Sequence, residues 1–177
     1  MAYTLTFSPE FKPLILEGKK TVTRRPVKFP CLRSHVDPAI WFWEQITDRL
    51  TTVALDADSD LLIPSNTHVL TRSYAASLLA HCPHGIAGDL IELSISTPDK
   101  QEAVFARATL TAVSVECLHD ISEQEAISEG MPTDTPLSHF RHTWDVFYAR
   151  SPYSWTQNPA VWVLTFQLTE VLPEVHP

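Results

Sequence analysis

The 177-residue sequence has no apolar stretch that approaches the roughly 20 residues of a membrane-spanning helix. Its N-terminus also lacks the charged segment followed by an apolar segment that is typical of a signal peptide. The three cysteines, Cys31, Cys82 and Cys117, are an odd and widely spaced set. Such a set fits reduced thiols better than a disulfide framework. We therefore expect a cytoplasmic protein with no membrane partner.

Internal repeats, low-complexity segments and standard metal motifs are also absent from the sequence. His81, Cys82 and His84 lie close together, and Cys31 and His35 are more distant candidates for zinc ligands. Their spacing fits no standard closed zinc site. The segment GIAGD is too short for a loop that cradles phosphate. We expect no metal and no other cofactor.

The composition is that of a single globular domain. Hydrophobic residues make up 44% of the chain and charged residues 19%, and the length allows a substantial core. Charge is unevenly spread, because residues 1–33 carry a balance of +5 and the remainder −13. A binder of duplex DNA usually presents a broad basic surface. One basic focus on an acidic body instead favours a small polar or anionic ligand, or a short stretch of RNA, and we expect no duplex DNA.

The basic focus is the segment GKKTVTRRP, which contains Lys19, Lys20, Thr23, Arg24 and Arg25. A threonine hydroxyl becomes a nucleophile when a neighbouring base takes its proton, and cationic neighbours favour the neutral, basic form of a lysine. Alternatively, the cations are solvated and compensate the dipole of the preceding helix. In a regular strand Lys20 and Thr23 point to opposite faces, so the first interpretation requires a turn or bulge between them.

A second candidate residue is Glu129, near the end of the short predicted helix SEQEAISEG. Ser122 and Glu125 have the spacing of a capping box, and Gly130 is a typical helix stop. A glutamate in the last turn faces the negative end of the helix dipole, which is unfavourable. An ion pair with the basic focus would offset this cost, although Glu129 is alternatively an exposed residue.

The remaining patterns predict several strands and two further helices. One helix follows Ser8, a possible cap, and ends at Gly18; Pro13 either distorts it or begins its regular part. The second helix, LSHFRHTWDVFYAR, is amphipathic. Strands are predicted in YTLTF, TVTRR, LIELSI, AVFARATLTAVSVECL (as one strand or two) and AVWVLTFQL. Many short strands with few helices favour an α+β fold in which helices pack at the openings of a β-barrel.

Aromatic and histidine side chains supply further candidates. Most of the five tryptophans are expected in the core, whereas Tyr153 and Trp155 lie in the polar segment SPYSWTQNP, where they are candidates for stacking on a ligand. Histidines can act as the acid and base of a ribonuclease. The candidates are His81, His84, His139 and His142, but the sequence does not show which two of them would lie together in the fold.

Four segments, in order, resemble the ASCH domain family and its longer, prophage-associated members. They are ILEGKKTVTRR, GIAGDLIELS, ISEQEAISEGM and FRHTWDVFY with SWTQNPAVWVLTF, and together they cover roughly half of the chain. Residues 31–80 have no counterpart and are interpreted as an insertion in a single domain of residues 1–177. The resemblance implies a PUA-like β-barrel with flanking helices.

The resemblance also implies a function. Domains of this class handle RNA or modified nucleosides, and some small ASCH proteins are amidohydrolases that remove the acetyl group from acetylcytidine with a Lys, a Thr and a Glu. By position these residues are Lys20, Thr23 and Glu129. The leading hypothesis is therefore an amidohydrolase for an acylated nucleoside such as N4-acetylcytidine, with Lys19, Arg24, Arg25, Tyr153 and Trp155 as substrate-binding residues. The alternative is an RNA-binding module or a ribonuclease that acts on single-stranded RNA.

Overall fold

The computed structural model describes residues 3–27, 61–63, 68–70, 82–96 and 101–173. Most of the predicted insertion at about 31–80 lies outside these residues, as do Cys31, His35, Trp41, Trp43 and His81. Within the predicted insertion the structure describes two short strands, which pair with each other in an antiparallel arrangement. The insertion therefore stays a prediction.

The described chain forms seven strands and three α-helices. The strands are β1 (Tyr3–Phe7), β2 (Val22–Pro26), β3 (Leu61–Ile63), β4 (His68–Leu70), β5 (Leu90–Ser96), β6 (Glu102–Cys117) and β7 (Ala160–Val171). The helices are α1 (Phe11–Leu16), α2 (Glu123–Ser128) and α3 (Pro136–Tyr148), with short 3-10 turns at Leu118–Asp120 and Trp155–Gln157. The segment AVFARATLTAVSVEC thus belongs to one long strand.

Five strands form one mixed sheet in the order β1-β5-β6-β7-β2. Strand β1 is parallel to β5, and the other neighbours are antiparallel. The sheet is curved into a half-barrel with the helices beside it. This architecture confirms the expected α+β class and the strand-rich fold with flanking helices. Strands β1 and β2, which are close in sequence, are the two edges of the sheet.

Strand β7 explains why the core has two parts. Its residues Trp162, Leu164 and Phe166 are buried in one cluster with side chains of β1, β5 and β6. The intervening Val161 and Val163 are buried in a second cluster, with α2 and α3. Both faces of β7 are therefore covered, which accounts for its nearly continuous apolar sequence.

Helix α1 differs from both alternatives that its sequence suggested. It begins at Phe11, and Pro13 lies in its first turn, where the missing N–H would have had no acceptor within the helix. Ser8 does not cap the helix through its side chain; its carbonyl accepts a hydrogen bond from the Phe11 N–H at 3.0 Å. The predicted stop at Gly18 is confirmed by its φ of 69°.

Helix α2 has the predicted capping box. The Ser122 side chain accepts from the Glu125 N–H, and the Glu125 carboxylate accepts from the Ser122 N–H. At its other end Gly130, with φ 92°, donates to Ile127, while the Met131 N–H donates to the Ala126 carbonyl. This pair of bonds is a Schellman motif. Helix α1 ends in the same way, since the N–H groups of the two residues after Glu17 donate to carbonyls of its last turns.

The two Schellman ends lie against each other. Lys20, just after α1, forms an isolated antiparallel bridge with Glu129, at the end of α2. A Cβ atom on Gly130 would lie 3.1 Å from Leu14 Cδ1 and 3.3 Å from Lys20 Cβ. Gly130 is thus required by its backbone conformation and by the close approach of the Lys20 segment.

We predict that Gly130→Ala destabilises the fold more than Gly88→Ala. Both glycines have a similar positive φ, 92° and 99°, which costs an L-residue about 1–2 kcal/mol. Only at Gly130 does the new methyl group meet close neighbours, which adds roughly 1 kcal/mol or more of overpacking. Urea denaturation of both variants measures the difference, and equal losses of stability would contradict this account.

Candidate functional site

The site is assembled on β2, the edge strand formed by the second half of the basic focus. Thr23 and Arg25 alternate with Arg24, so their side chains share one face of the strand. Arg25 Nη1 donates to Thr23 Oγ1 at 2.7 Å, and its Nη2 donates to the carbonyl of Thr6, in β1, at 2.9 Å. Arg25 therefore connects the two edges of the half-barrel and holds the Thr23 hydroxyl between them.

Lys20 is a buried cation whose ammonium group is fully hydrogen bonded. Its Nζ donates to Glu129 Oε2 at 2.7 Å, to the Glu129 carbonyl at 2.7 Å and to the Val22 carbonyl at 3.0 Å. The residue is 3% exposed. The Glu129 carbonyl belongs to the C-terminal end of α2, so Lys20 caps that helix and offsets its dipole. The basic focus thus compensates a helix dipole, but that of α2 rather than that of the preceding helix.

The Glu129 carboxylate is shared with a second buried cation. Its Oε1 lies 3.4 Å from Arg24 Nη1, while Arg24 Nη2 contacts Glu116 at 3.2 Å and Glu125 at 3.1 Å. We call Glu116 and Glu125 the rim glutamates, since both are partly exposed whereas the Arg24 side chain is 0% exposed. Arg24 Nε is the one buried side-chain nitrogen or oxygen without a partner among the described residues. The ion pair that the sequence suggested for Glu129 is present.

Burial controls the protonation of Lys20. Desolvation lowers the pKa of the Lys20 ammonium, Glu129 opposes this by its charge and hydrogen bond, and the charges of Arg25 and Arg24 lower the pKa further. The net result is a lowered pKa, so Lys20 forms its neutral amine at a lower pH than a solvated lysine does. The three acceptors around Nζ nevertheless match the three N–H bonds of the charged form.

Two further groups that line the same cavity, Arg25 and Tyr148, also have pKa values shifted by burial. Desolvation lowers the pKa of Arg25, partly offset by Tyr148 and Glu129, but a guanidinium starts so high that it stays charged. Desolvation raises the pKa of the Tyr148 phenol, and the charge of Arg25 opposes that rise. Tyr148 therefore remains a neutral hydrogen-bond donor near neutral pH.

These side chains line one cavity of about 320 Å³ with mainly aromatic walls. Lys20 Nζ lies 4.8 Å from the ring centroid of Phe11, and the Arg25 guanidinium carbon lies 5.1 Å from that of Phe7. The other aromatic walls come from α3 and are Phe140, Trp144, Phe147 and Tyr148. The size and the combination of apolar walls with few polar groups are typical of a small-molecule pocket.

Five of the predicted site residues meet in this cavity, namely Lys20, Thr23, Arg24, Arg25 and Glu129. The required irregularity between Lys20 and Thr23 is present, because β2 begins only at Val22 and Lys20 precedes it in the isolated bridge. Between these two described residues no hydrogen bond is formed: Nζ donates to Glu129 and Val22, and Thr23 Oγ1 accepts from Arg25.

Three predicted substrate-binding residues are not brought to the cavity. Lys19 is exposed and pairs with Glu17 at 2.7 Å. The Trp155 ring packs against His119, with centroids 4.5 Å apart, and the Tyr153 carbonyl accepts from Trp144 Nε1 at 2.8 Å. None of the three is among the described residues that line the cavity.

Sequence reasoning did not assign Phe7, Phe11, Phe147 or Tyr148 to the site. Both Phe147 and Tyr148 belong to the helix that was predicted only to be amphipathic, yet Phe147 is 51% exposed at the cavity and Tyr148 carries a phenol. The polar tip of Tyr148 on an apolar stripe was an available signal. Phe7 and Phe11 gave no such signal, because their approach to β2 depends on the curvature of the sheet.

Among the described residues there is no group of three or more His, Cys, Asp or Glu side chains that could hold a metal ion. Within the same part of the chain, no helix has the length and apolar character needed to cross a bilayer.

The comparisons with known proteins find similarity among solved structures. No protein-family model and no curated protein matches the sequence significantly. A DUF984 protein from Enterococcus faecalis V583 aligns with a TM-score of 0.51 and 13% identity, over 100% of this chain and 86% of its own. At that identity the likeness is one of fold.

Two ASCH domain structures are also structural neighbours. The ASCH domain from Lactobacillus crispatus JV V101 has a TM-score of 0.49 and 14% identity, over 96% of this chain and 80% of its own. The ASCH structure from Zymomonas mobilis has a TM-score of 0.42 and 12% identity, over 96% of this chain and 72% of its own.

We predict strong coupling between Lys20 and Glu129 in the stability of the fold. Lys20→Met leaves a buried carboxylate and two carbonyls without their cation, which we expect to cost about 3–5 kcal/mol of unfolding free energy. Adding Glu129→Leu to the same chain removes the unpaired carboxylate, so the double variant should recover part of that loss. A double-mutant cycle by urea denaturation measures the coupling, and additive effects of the two changes would contradict a buried ion pair.

Proposed function

We propose that the protein is an amidohydrolase that acts on an acylated nucleoside, such as N4-acetylcytidine, or on a similar small aromatic amide. The observation that supports it is that the Thr23 hydroxyl and the buried Lys20–Glu129 pair line the same aromatic-walled cavity. The sequence resemblance to ASCH amidohydrolases assigns catalysis to the same three residues. A planar base fits between aromatic walls, with its acyl group at the polar end.

The proposed reaction is an acyl transfer through Thr23. Its Oγ1 attacks the amide carbonyl carbon while its proton passes to the neutral amine of Lys20. The tetrahedral intermediate collapses, the C–N bond breaks, and Lys20 returns the proton to the leaving amine. Water then attacks the Thr23 ester while Lys20 accepts a proton from the water. The bond between Thr23 Oγ1 and the acyl carbon breaks, Lys20 returns the proton to Thr23 Oγ1, and the free acid leaves.

Arg25 and Glu129 support this reaction in different ways. Arg25 donates to Thr23 Oγ1, so the threonine's own hydroxyl hydrogen remains available for transfer. Its charge also lies where negative charge develops on the carbonyl oxygen. Glu129 positions Lys20 through the 2.7 Å ion pair. A neutral Lys20 amine has two N–H bonds, one fewer than its three acceptors can take. A rotation of the Lys20 side chain then directs the nitrogen lone pair to the Thr23 hydroxyl.

The second candidate function is a non-catalytic module that binds a nucleoside or short single-stranded RNA. It is favoured by one observation, that all three protons of the Lys20 ammonium have acceptors, as expected of a structural cation. A ribonuclease is less well supported. The exposed His139 and His142 line a neighbouring groove, and no histidine lines the main cavity in the part of the chain that the structure describes. The relation to prophage-associated proteins and the cytoplasmic location stay predictions.

We predict that the purified protein releases cytidine from N4-acetylcytidine and that Thr23→Ala lowers kcat by at least about 100-fold through loss of the nucleophile. Thr23→Ser keeps the hydroxyl and should retain measurable activity. Thr21→Ala is the matched control, because this half-buried threonine lies two residues away and does not line the cavity. Chromatographic detection of cytidine gives the rates.

Other outcomes of that experiment have distinct meanings. Retained activity in Thr23→Ala would exclude Thr23 as nucleophile. Absence of hydrolysis together with salt-dependent retention of short single-stranded RNA would favour the binding module. Cleavage of that RNA by Thr23→Ala would indicate a nuclease that uses other residues.

We predict that kcat/KM for the amide rises with pH as Lys20 loses its proton. Because burial lowers the pKa of Lys20, the midpoint should lie below the value of about 10.4 for a free lysine. Glu129→Gln removes the carboxylate that raises this pKa, so the midpoint should move to lower pH. Initial rates between pH 6 and pH 10 test both statements, and a flat profile from pH 6 to pH 9 would count against Lys20 as the base.

A further inference from the structure

The cavity contains three cations but only two of them have carboxylate partners at contact distance. Lys20 is held by Glu129 at 2.7 Å. Arg24 contacts Glu129 and both rim glutamates, at 3.1 to 3.4 Å. Among the described residues Arg25 has no carboxylate within ion-pair distance. The rim glutamates do not line the cavity, so its interior carries an excess of positive charge centred on Arg25.

The hydrogen bonds of Arg25 leave part of its guanidinium unused. Its donors contact the Thr23 hydroxyl, the Arg24 carbonyl and the Thr6 carbonyl, which are all neutral acceptors. A guanidinium has about five N–H bonds, so roughly two remain without an assigned acceptor. Two N–H donors are what a carboxylate accepts in a bidentate pair.

The groups around Arg25 do not neutralise it. Tyr148 stays a neutral phenol, since burial raises its pKa. Glu129 acts on Arg25 through its charge but already contacts Lys20 and Arg24. On another side is the apolar ring of Phe7. A cation that is largely removed from water is unfavourable without a counter-ion. A ligand bound in the cavity is in position to supply that counter-ion.

We propose that the cavity binds a planar aromatic or heteroaromatic ligand that carries one carboxylate, with Arg25 as its partner and the aromatic walls around its ring. The inference rests on the proposed function in taking this cavity as the ligand site. Within that function, acylated aromatic amines that bear a carboxylate are preferred substrates over uncharged ones. Arg25 is then a specificity-determining residue as well as a support for Thr23.

The test compares benzoate with benzamide, which have nearly the same shape and differ in charge. We expect benzoate to bind the wild-type protein about tenfold more tightly than benzamide at low ionic strength, measured by NMR titration. Raising the sodium chloride concentration should weaken the binding of benzoate and leave that of benzamide nearly unchanged. This salt comparison uses the wild-type chain and does not depend on any variant.

Variants assign the preference to Arg25. In Arg25→Gln the two affinities should become similar, whereas Arg25→Lys should keep part of the preference for benzoate because it keeps the charge. Lys19→Gln is the matched control, since it removes one cation that is exposed and outside the cavity. Circular dichroism and thermal unfolding establish that each variant is folded.

The outcomes separate this inference from the proposed reaction. Equal affinity of the wild-type protein for the two ligands, or a benzoate preference that survives in Arg25→Gln, would overturn the inference. Loss of the preference in Lys19→Gln would also overturn it, by assigning the effect to net charge. If benzoate is preferred and no amide is hydrolysed, the inference stands and the amidohydrolase fails. If acetylcytidine is hydrolysed but benzoate does not compete, only the inference fails.

Discussion

The ion pair between Lys20 and Glu129 is the interaction on which the rest of the site depends. Two short helices end beside each other, and each end leaves carbonyls without partners inside the helix. Lys20 supplies donors to one of these ends and a charge to the Glu129 carboxylate. Gly130, which has no Cβ, allows the two segments to approach. Because Lys20 leads directly into β2, the same contact also fixes where that strand begins.

The two arginines of the site lie on different sides of the Lys20–Glu129 ion pair. Behind it Arg24 is fully buried and contacts Glu129 and the rim glutamates, so its charge is neutralised by carboxylates. In front of it Arg25 crosses from β2 to the carbonyl of Thr6 and joins the two edges of the half-barrel. The consecutive arginines of β2 therefore have different partners, since strand alternation directs Arg24 to glutamates of β6 and α2 and Arg25 to Thr23 and β1.

Much of the local structure was predictable because short-range chemistry determines it. The capping box of α2, the glycine stops of α1 and α2 and the strand in AVWVLTFQL follow from residues close together in sequence. The β-bulge in the pairing of β5 with β6 depends on the partner strand and has no such local signal. Tyr153 and Trp155 looked like ligand-stacking residues in a polar loop, but their segment packs against α3 and His119 instead.

The sequence by itself determined the site's ingredients: an acidic chain with one basic focus, a threonine beside a lysine and a glutamate at a helix end. Their resemblance to one family also indicated which three belong together. Only the tertiary structure decided that Arg24 is paired with glutamates while Arg25 is not, and that rings from β1, α1 and α3 enclose the cavity. These features depend on the curvature of the sheet and on pairing between residues more than 90 positions apart, such as Arg24 and Glu116, which local patterns do not encode.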